Sequence, residues 1–348
     1  MYGGGQMNST HMYDRRRFLQ YVGIAGLGMA TPFMVTTAQA TDCTKTHQVS
    51  QTLPMMNTLV SITVRDQSEQ RARTAQQAAF AAARELIPIF DRFQPDSHVS
   101  SLNRHGVLKD IPSHLRQVLQ TSRDLYQMSQ RRFDVTILPL LQATGHELGQ
   151  RHTPVTPSDL RQLQALVGCD HLHLGSKSVR LGRSGMGITL DGIAKGYIVD
   201  QVAATLTAHG ITSALINAGG DIRVIGNKGS APWQVGVQDP THRHASLATL
   251  GLRNAAVATS GSYEQFFDPL ARHHHLLSQA GHSPRRPVSS TVIAPTAMQA
   301  DGLATTIFLL PPEEGLTLAA AQPGVQAAVV TRGNRMMTTP GWNRLQLS

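Results

Sequence analysis

Apolar positions recur along the chain in two patterns, and together they predict a mixture of helices and strands. From Ser68 to Phe93, alanines and larger apolar residues follow a period near 3.6. This period predicts a long helix, which Pro88 should kink or end early. From Thr58 to Val64, β-branched residues dominate, which is typical of a strand. The other predicted helices are Ser113–Gln130, Pro157–Val167, Asp191–His209 and Ala297–Leu310.

Short apolar runs between turn residues predict many further strands. They are His171–Leu174, Ser178–Leu181, Gly187–Leu190, Ser213–Asn217, Ile222–Ile225, Trp233–Val237, Ala255–Thr259, His274–Leu277, Val288–Ile293 and Val325–Thr331. Strands and helices do not alternate regularly, so the pattern favours an α+β fold over a doubly wound parallel sheet. Because residues 50–340 contain no repeat and no low-complexity linker, we expect one two-lobed unit.

The N-terminal segment has the features of an export signal. Consecutive arginines begin the run Arg15–Leu19, a short glycine-rich apolar stretch follows, and Ala38–Ala40 fits a signal-peptidase site. Paired arginines before Phe-Leu resemble a twin-arginine signal. The sequence therefore predicts a signal peptide over residues 1–40, a mature domain over 41–348 and a periplasmic location. Pro32 interrupts the apolar stretch, and no later segment approaches transmembrane length, so we expect a mature protein that does not span the membrane.

Charge and composition narrow the possible ligands. Among 348 residues, 31 Lys and Arg face 22 Asp and Glu, which gives a net charge of +9. The basic residues form no long run and only 5% of residues are aromatic, so nucleic-acid binding is not favoured. A positive charge still favours an anionic ligand. Two cysteines, Cys43 and Cys169, exclude a disulfide scaffold and a cysteine-rich zinc module; pairing and free thiols both stay open.

Two glycine-containing segments are candidates for phosphate binding. Asn217–Asp221 carries two adjacent glycines between predicted strands, which is typical of a phosphate cradle or simply of a tight hairpin. Asp191–Gly196 opens a predicted helix, and Lys195 adds a charge to its first turn. A helix N-terminus attracts anions, although an ordinary capped helix has the same pattern.

Two further groups offer metal or acid–base chemistry. Asp301 and Thr305 are four residues apart, so on a helix they share one face and suit Mg²⁺, unless Asp301 is an ordinary surface residue. His273–His275 cannot all converge on one ion from a strand, so one inward histidine acting as a base is preferred over a metal site. A solvated basic loop is the alternative.

Eight segments, in order, resemble motifs of the ApbE family, the FAD:protein FMN transferases. They are Met56–Thr58, Ser97–Asn103, Phe133–Leu140, Gly192–Asp200, Gly219–Arg223, Val235–Pro240, Thr259–Glu264 and Ala300–Thr305. The resemblance implies a two-lobed α+β fold with mixed, mostly antiparallel sheets flanked by helices. It also implies a periplasmic enzyme that uses FAD and Mg²⁺. Such an enzyme attaches FMN to a threonine of an acceptor flavoprotein, such as a respiratory complex subunit, and releases AMP.

The resemblance also assigns roles to individual residues. Asp301, Thr305 and the backbone carbonyl of Gly192 match the metal ligands, and His275 matches the histidine that acts in transfer. The flavin-contacting positions correspond to Met56, Phe93, Asn103, Arg132, Phe133, Asp134, Thr189, Lys195, Gly219, Gly220 and Leu277.

The chain departs from the family pattern at three places. Ser278 stands where the family has an aspartate, Asn57 replaces a glycine, and Asp191 carries a carboxylate two positions later than usual. Because of these departures, two alternative functions stay open: a non-catalytic FAD-binding or flavin-carrier protein, and an FAD pyrophosphatase that releases FMN and AMP. A metal-binding structural protein would explain the histidines but not the ordered motifs.

Overall fold

An eight-stranded sheet forms the centre of the structure, a computed structural model that describes residues 46–143, 156–242, 245–262 and 287–347. The strand order is β1-β2-β6-β7-β10-β11-β12-β13, and each neighbouring pair is antiparallel. Its strands are β1 His47–Met55, β2 Thr58–Asp66, β6 Ala214–Ala218, β7 Asp221–Ile225, β10 Ala256–Gly261, β11 Pro287–Ala294, β12 Gln326–Thr331 and β13 Met336–Thr338. This topology confirms the α+β class.

Two smaller sheets complete the β structure. The order β3-β5-β4 joins β3 Val107–Lys109, β5 Ser178–Leu181 and β4 Leu172–Leu174, while β8 Trp233–Gln238 pairs with β9 Ser246–Leu252. The helices are α1 Glu69–Phe90, α2 His98–His105, α3 Ser113–Met128, α4 Leu138–Ala143, α5 Pro157–Gln164, α6 Ala194–Ala208, α7 Ala297–Leu309 and α8 Pro312–Ala320. The three-stranded sheet contacts α2 and α3 and forms the smaller lobe. Every helix among the described residues is too short or too polar to span a lipid bilayer.

The central sheet buries a different set of side chains on each face. One face packs against α1, α6 and α7, where small residues such as Ala75 and Ala79 of α1 allow close approach. The other face packs against the β8–β9 pair and Trp342. Successive residues of β11 lie on opposite faces of the sheet: Val292 packs in the core on the helical face, and Ile293 packs in the core on the β8–β9 face.

Most predicted elements are present, and the exceptions have local causes. The predicted strand Gly187–Leu190 is wrong, because the side-chain amide of Asn103 holds both backbone groups of Ile188 in place of a strand partner. The helix predicted from Asp191 begins at Ala194. Pro88 lies within the last turn of α1, which ends at Phe90.

The sequence pattern did not predict β1, α2, β3, α4, β9, α8 or β13. β1 is an edge strand in which only Val49 is fully buried, so its sequence lacks the apolar alternation of a half-buried strand. The predicted strand His274–Leu277 lies outside the described residues.

Candidate active site

Two tight turns lie side by side at one end of the central sheet. Gly219 and Gly220 connect β6 to β7 with φ angles of 63° and 103°, which confirms the predicted hairpin. The Gly220 N–H donates to Asn217 Oδ1 at 2.9 Å. A Cβ on Gly219 would lie 2.3 Å from Thr58 Oγ1, so only glycine lets the β1–β2 turn approach this closely. That turn contains Met56, which places three predicted flavin-contacting residues together.

Lys195 lies beside this glycine turn, in the first turn of α6. Its Nζ is 3.2 Å from Oδ2 of Asp221, the first residue of β7. The Asp221 side chain is almost fully buried, and this burial raises its pKa while the Lys195 ammonium opposes the rise. The ion pair therefore fixes a positive charge next to Gly219 and Gly220.

A cluster of oxygen donors lies on the buried side of α7. Asp301 and Thr305 are 5% and 8% exposed, and they share one face of the helix as their spacing predicts. The Gly196 N–H donates to Asp301 Oδ2 at 3.0 Å. A Cβ on Gly192 would lie 2.8 Å from Thr305 Oγ1, so the Gly192 backbone lies directly against that hydroxyl. The structure thus brings together all three predicted metal ligands.

Ser260 joins this cluster from β10, and the sequence analysis did not select it. Its Oγ lies 3.2 Å from Thr305 Oγ1, and its side chain is buried. The signal that could have identified it was its position within the motif Thr259–Glu264. We define the donor cluster as Gly192, Ser260, Asp301 and Thr305.

Asp200 fixes the position of α7 against α6. Its two carboxylate oxygens accept the N–H groups of Ala297 and Met298 at 2.8 Å each, in the first turn of α7. Burial raises the pKa of Asp200, and those two N–H groups together with Arg223 oppose the rise. This contact sets how far α7 slides along α6, so it determines that Asp301 faces Gly196.

The composition of the donor cluster matches a small, hard cation. It offers one carboxylate, two hydroxyl groups and a glycine backbone, and oxygen ligands of this kind suit Mg²⁺ better than zinc or copper. In the described ranges, no three His, Cys, Asp or Glu side chains converge on one point. Among the described residues, the donor cluster is therefore the group whose side-chain and backbone oxygens fit Mg²⁺.

A basic cleft of about 830 Å³ lies on the smaller lobe. Phe93 and Asn103, two predicted flavin-contacting residues, line it, and the Phe93 side chain is 51% exposed. Its arginines are Arg92, Arg104, Arg180 and Arg183, and none of the described residues that line it carries a carboxylate. The cleft therefore favours an anionic ligand that includes a flat ring.

The segment 187–192 connects this cleft to the donor cluster. Gly187 lines the cleft, and Gly192 touches Thr305. Asn103 fixes the segment at Ile188, donating from Nδ2 to the carbonyl at 2.9 Å and accepting the N–H at 2.7 Å. Asn103 therefore positions the segment. Thr189, also predicted to contact flavin, is buried and accepts the N–H of Asp191.

The other predicted site residues lie elsewhere. Phe133 is buried in the helical core, Asp134 accepts the N–H and hydroxyl of Thr136 at 2.8 and 2.6 Å, and Arg132 is exposed. The structure does not place these three in the cleft lining, and their contact with flavin stays a prediction. His275 and Leu277 lie outside the described residues.

The fold is that of the solved flavin transferases. The flavin transferase ApbE of Vibrio cholerae superposes with a TM-score of 0.77 and 25% identity, over 86% of this chain and 100% of that chain. The ApbE protein of Thermotoga maritima gives a TM-score of 0.79 and 25% identity, over 87% and 100%.

The chain belongs to the ApbE family, whose profile matches residues 56–329. An FAD:protein FMN transferase of Rhodobacter capsulatus is 30% identical over 344 residues, which are 94% of this chain and 63% of that relative. One of Haemophilus influenzae is 31% identical over 241 residues, 65% of this chain and 70% of that relative. The chain thus spans less than two thirds of the Rhodobacter relative.

Proposed function

We propose that the protein is a Mg²⁺-dependent FAD:protein FMN transferase. The observation that carries this proposal is the donor cluster, which joins the Gly192 loop, β10 and α7 next to Lys195 and its partner Asp221. The names of the Rhodobacter and Haemophilus relatives support the same activity. In the proposed reaction, a threonine hydroxyl of an acceptor flavoprotein attacks the FMN phosphorus of FAD. A phosphoester forms, the bond to the AMP phosphate breaks, and AMP leaves.

Gly192, Asp301 and Thr305 would hold Mg²⁺, and Ser260 would orient the Thr305 hydroxyl. When bound, Mg²⁺ would neutralise negative charge on the pyrophosphate of FAD. Lys195 adds a fixed positive charge, because Asp221 anchors its ammonium group in one place. The glycine turn would complete a cradle for phosphate oxygens with the backbone of Gly219, since the Gly220 N–H is already donated to Asn217 Oδ1.

The cleft would hold the rest of the FAD molecule. Arg104, Arg180 and Arg183 give the cleft a positive charge that attracts an anionic molecule, and the exposed Phe93 ring offers a flat surface on which an aromatic ring stacks. The segment 187–192 then leads from the bound ring to the donor cluster.

Incubation of the mature protein with FAD, Mg²⁺ and a candidate acceptor tests the proposal. Flavin fluorescence on the acceptor band after denaturing electrophoresis supports transfer. AMP release without labelling would instead identify an FAD pyrophosphatase. Bound FAD without AMP release would identify a flavin carrier.

We expect His275→Ala to slow FMN transfer by roughly 10²–10⁴-fold, because a threonine hydroxyl is a poor nucleophile until a base takes its proton. FAD binding should persist, since it rests on the cleft and the donor cluster. Single-turnover labelling of the acceptor measures the rate, and His273→Ala and His274→Ala are the matched controls. If His274→Ala is the damaging change, the base is the neighbouring histidine.

We also propose that the protein reaches the periplasm by the twin-arginine route. Changing Arg15 and Arg16 to lysine should leave the precursor in the cytoplasm, because that pathway requires the arginine pair. Cell fractionation with detection of the precursor and mature sizes measures the outcome. Normal periplasmic accumulation of the double variant would exclude this route.

A further inference from the structure

We infer that the ion pair between Arg92 and Asp191 is a positioning link between the Phe93 wall of the cleft and the Gly192 end of the donor cluster. The inference rests on the proposed function, since it concerns how the protein binds FAD. It assigns a role to Arg92, which the sequence pattern did not mark, and a specific role to Asp191, which opens the predicted segment Asp191–Gly196.

The pair joins two distant parts of the chain with good hydrogen-bond geometry. Arg92 Nε and Nη2 donate to Asp191 Oδ2 at 2.9 and 2.8 Å, across 99 residues of sequence. The Arg92 side chain is only 10% exposed, whereas that of Asp191 is 53% exposed. An arginine that is mostly buried and gives two N–H groups to one carboxylate is held far more firmly than a solvated surface pair.

On the cleft side, Arg92 supports the ring of Phe93. Its guanidinium carbon lies 4.0 Å from the ring centroid, which is a close cation–π contact. The Arg92 carbonyl also accepts the Ser100 hydroxyl at 3.0 Å, which ties this segment to α2. More than half of the Phe93 side chain stays exposed at the cleft. Arg92 therefore fixes the orientation of the surface on which an aromatic ring would stack.

On the other side, Asp191 is the residue directly before Gly192. Asn103 holds Ile188, and Thr189 accepts the Asp191 N–H at 3.3 Å, so Arg92 supplies the last contact before the donor cluster. Loss of that contact removes a side-chain restraint on the backbone that lies against Thr305. The restraint that remains there is the turn closed by the Leu190 carbonyl, which accepts the N–H groups of Ile193 and Ala194. A movement of that backbone by even a fraction of an ångström alters a cation site.

The pair also has an electrostatic consequence. Asp191 carries a half-exposed carboxylate beside the place proposed for the phosphates of FAD, and an uncompensated negative charge there would repel them. Arg92 neutralises that charge. The two residues therefore differ in their expected effects. Loss of Arg92 removes the link and leaves a negative charge that repels the phosphates. Loss of the Asp191 charge removes the link but leaves a positive charge, which attracts them.

Equilibrium FAD binding tests this asymmetry without an acceptor, by quenching of flavin fluorescence in the presence of Mg²⁺. We expect Arg92→Gln to raise the FAD Kd by about tenfold or more and Asp191→Asn by roughly threefold, on the scale of charged hydrogen bonds. Adding Asp191→Asn to Arg92→Gln should lower the Kd towards the level of Asp191→Asn alone. Arg92→Lys, which keeps the charge but not the two-donor geometry, should be intermediate.

Arg73→Gln is the matched control, because Arg73 pairs with Glu69 on the exposed surface of α1. It should leave the FAD Kd unchanged. An Arg92→Gln protein that binds FAD like the wild type would overturn the inference, and so would a double variant weaker than Arg92→Gln. A wild type that binds no FAD would refute the inference together with the proposed function. Thermal melting identifies any variant that fails to fold. If Arg92→Gln does not fold, the test rests on Asp191→Asn alone, and an unchanged FAD Kd in that variant overturns the inference.

Discussion

Asp301→Asn is expected to abolish FMN transfer while the protein stays folded. Asparagine has the same size, and its amide oxygen can still accept the Gly196 N–H that now donates to Asp301 at 3.0 Å. The substitution removes the one carboxylate of the donor cluster, and with it the charge that holds a hard dication. Loss of metal assistance, at several kcal/mol, corresponds to a rate reduction of roughly 10³-fold or more.

Acceptor labelling at increasing Mg²⁺ concentrations measures this effect, and thermal melting measures the fold. The melting temperature should change little, because a neutral side chain costs less to bury than a carboxylate. Asp124→Asn is the matched control, since Asp124 is exposed on α3. If Asp301→Asn keeps the wild-type rate and Mg²⁺ dependence, the metal site does not lie on α7.

Gly196→Ala is expected to destabilise the protein and to inactivate it. A Cβ at this position would lie 2.3 Å from the carbonyl oxygen of Ala297 and 2.8 Å from Asp301 Cβ. The first contact is with backbone, so α6 and α7 must move apart to relieve it. We expect a loss of about 3 kcal/mol in the free energy of unfolding, the upper end of the usual range for overpacking.

The same movement carries Asp301 away from Gly192, so activity should fall more than stability alone explains. Chemical denaturation measures the free energy of unfolding, and acceptor labelling below the melting transition measures activity. Gly333→Ala is the matched control, because a Cβ there meets no atom within 4 Å. If Gly196→Ala transfers flavin at the wild-type rate, close α6–α7 contact is not what places Asp301.

Much of the fold could be predicted because it depends on local periodicity. β5 matches its predicted bounds, and β2, α3 and α7 fall within two residues of theirs. The predictions failed where the environment of a segment, and not its own pattern, decides its conformation. Gly187–Leu190 has the apolar composition of a strand, but Asn103, which is distant in sequence, occupies its backbone groups.

In the candidate site too, local spacing predicted some features, and the others depend on packing between distant segments. The spacing of Asp301 and Thr305 was enough to place both on one helical face, and the motif order assigned Gly192 to the same site. Ser260 was missed because a serine in a strand gives no local signal; only its place in the motif Thr259–Glu264 could have identified it, and its contact with Thr305 depends on the packing of β10 against α7. The positioning role of Asn103 could not be predicted either, because it depends on a contact 85 residues away.

The sequence by itself determined the α+β class, the Gly219–Gly220 hairpin and the shared face of Asp301 and Thr305. Each of these follows from backbone preferences and from the fixed geometry of a helix or strand over a few residues. Only the tertiary structure decided that Gly196 faces Asp301 across 105 residues and that Arg92 reaches Asp191 across 99. Such contacts depend on how α1, α6 and α7 pack on the sheet, and packing is a property of the whole core that no local pattern contains.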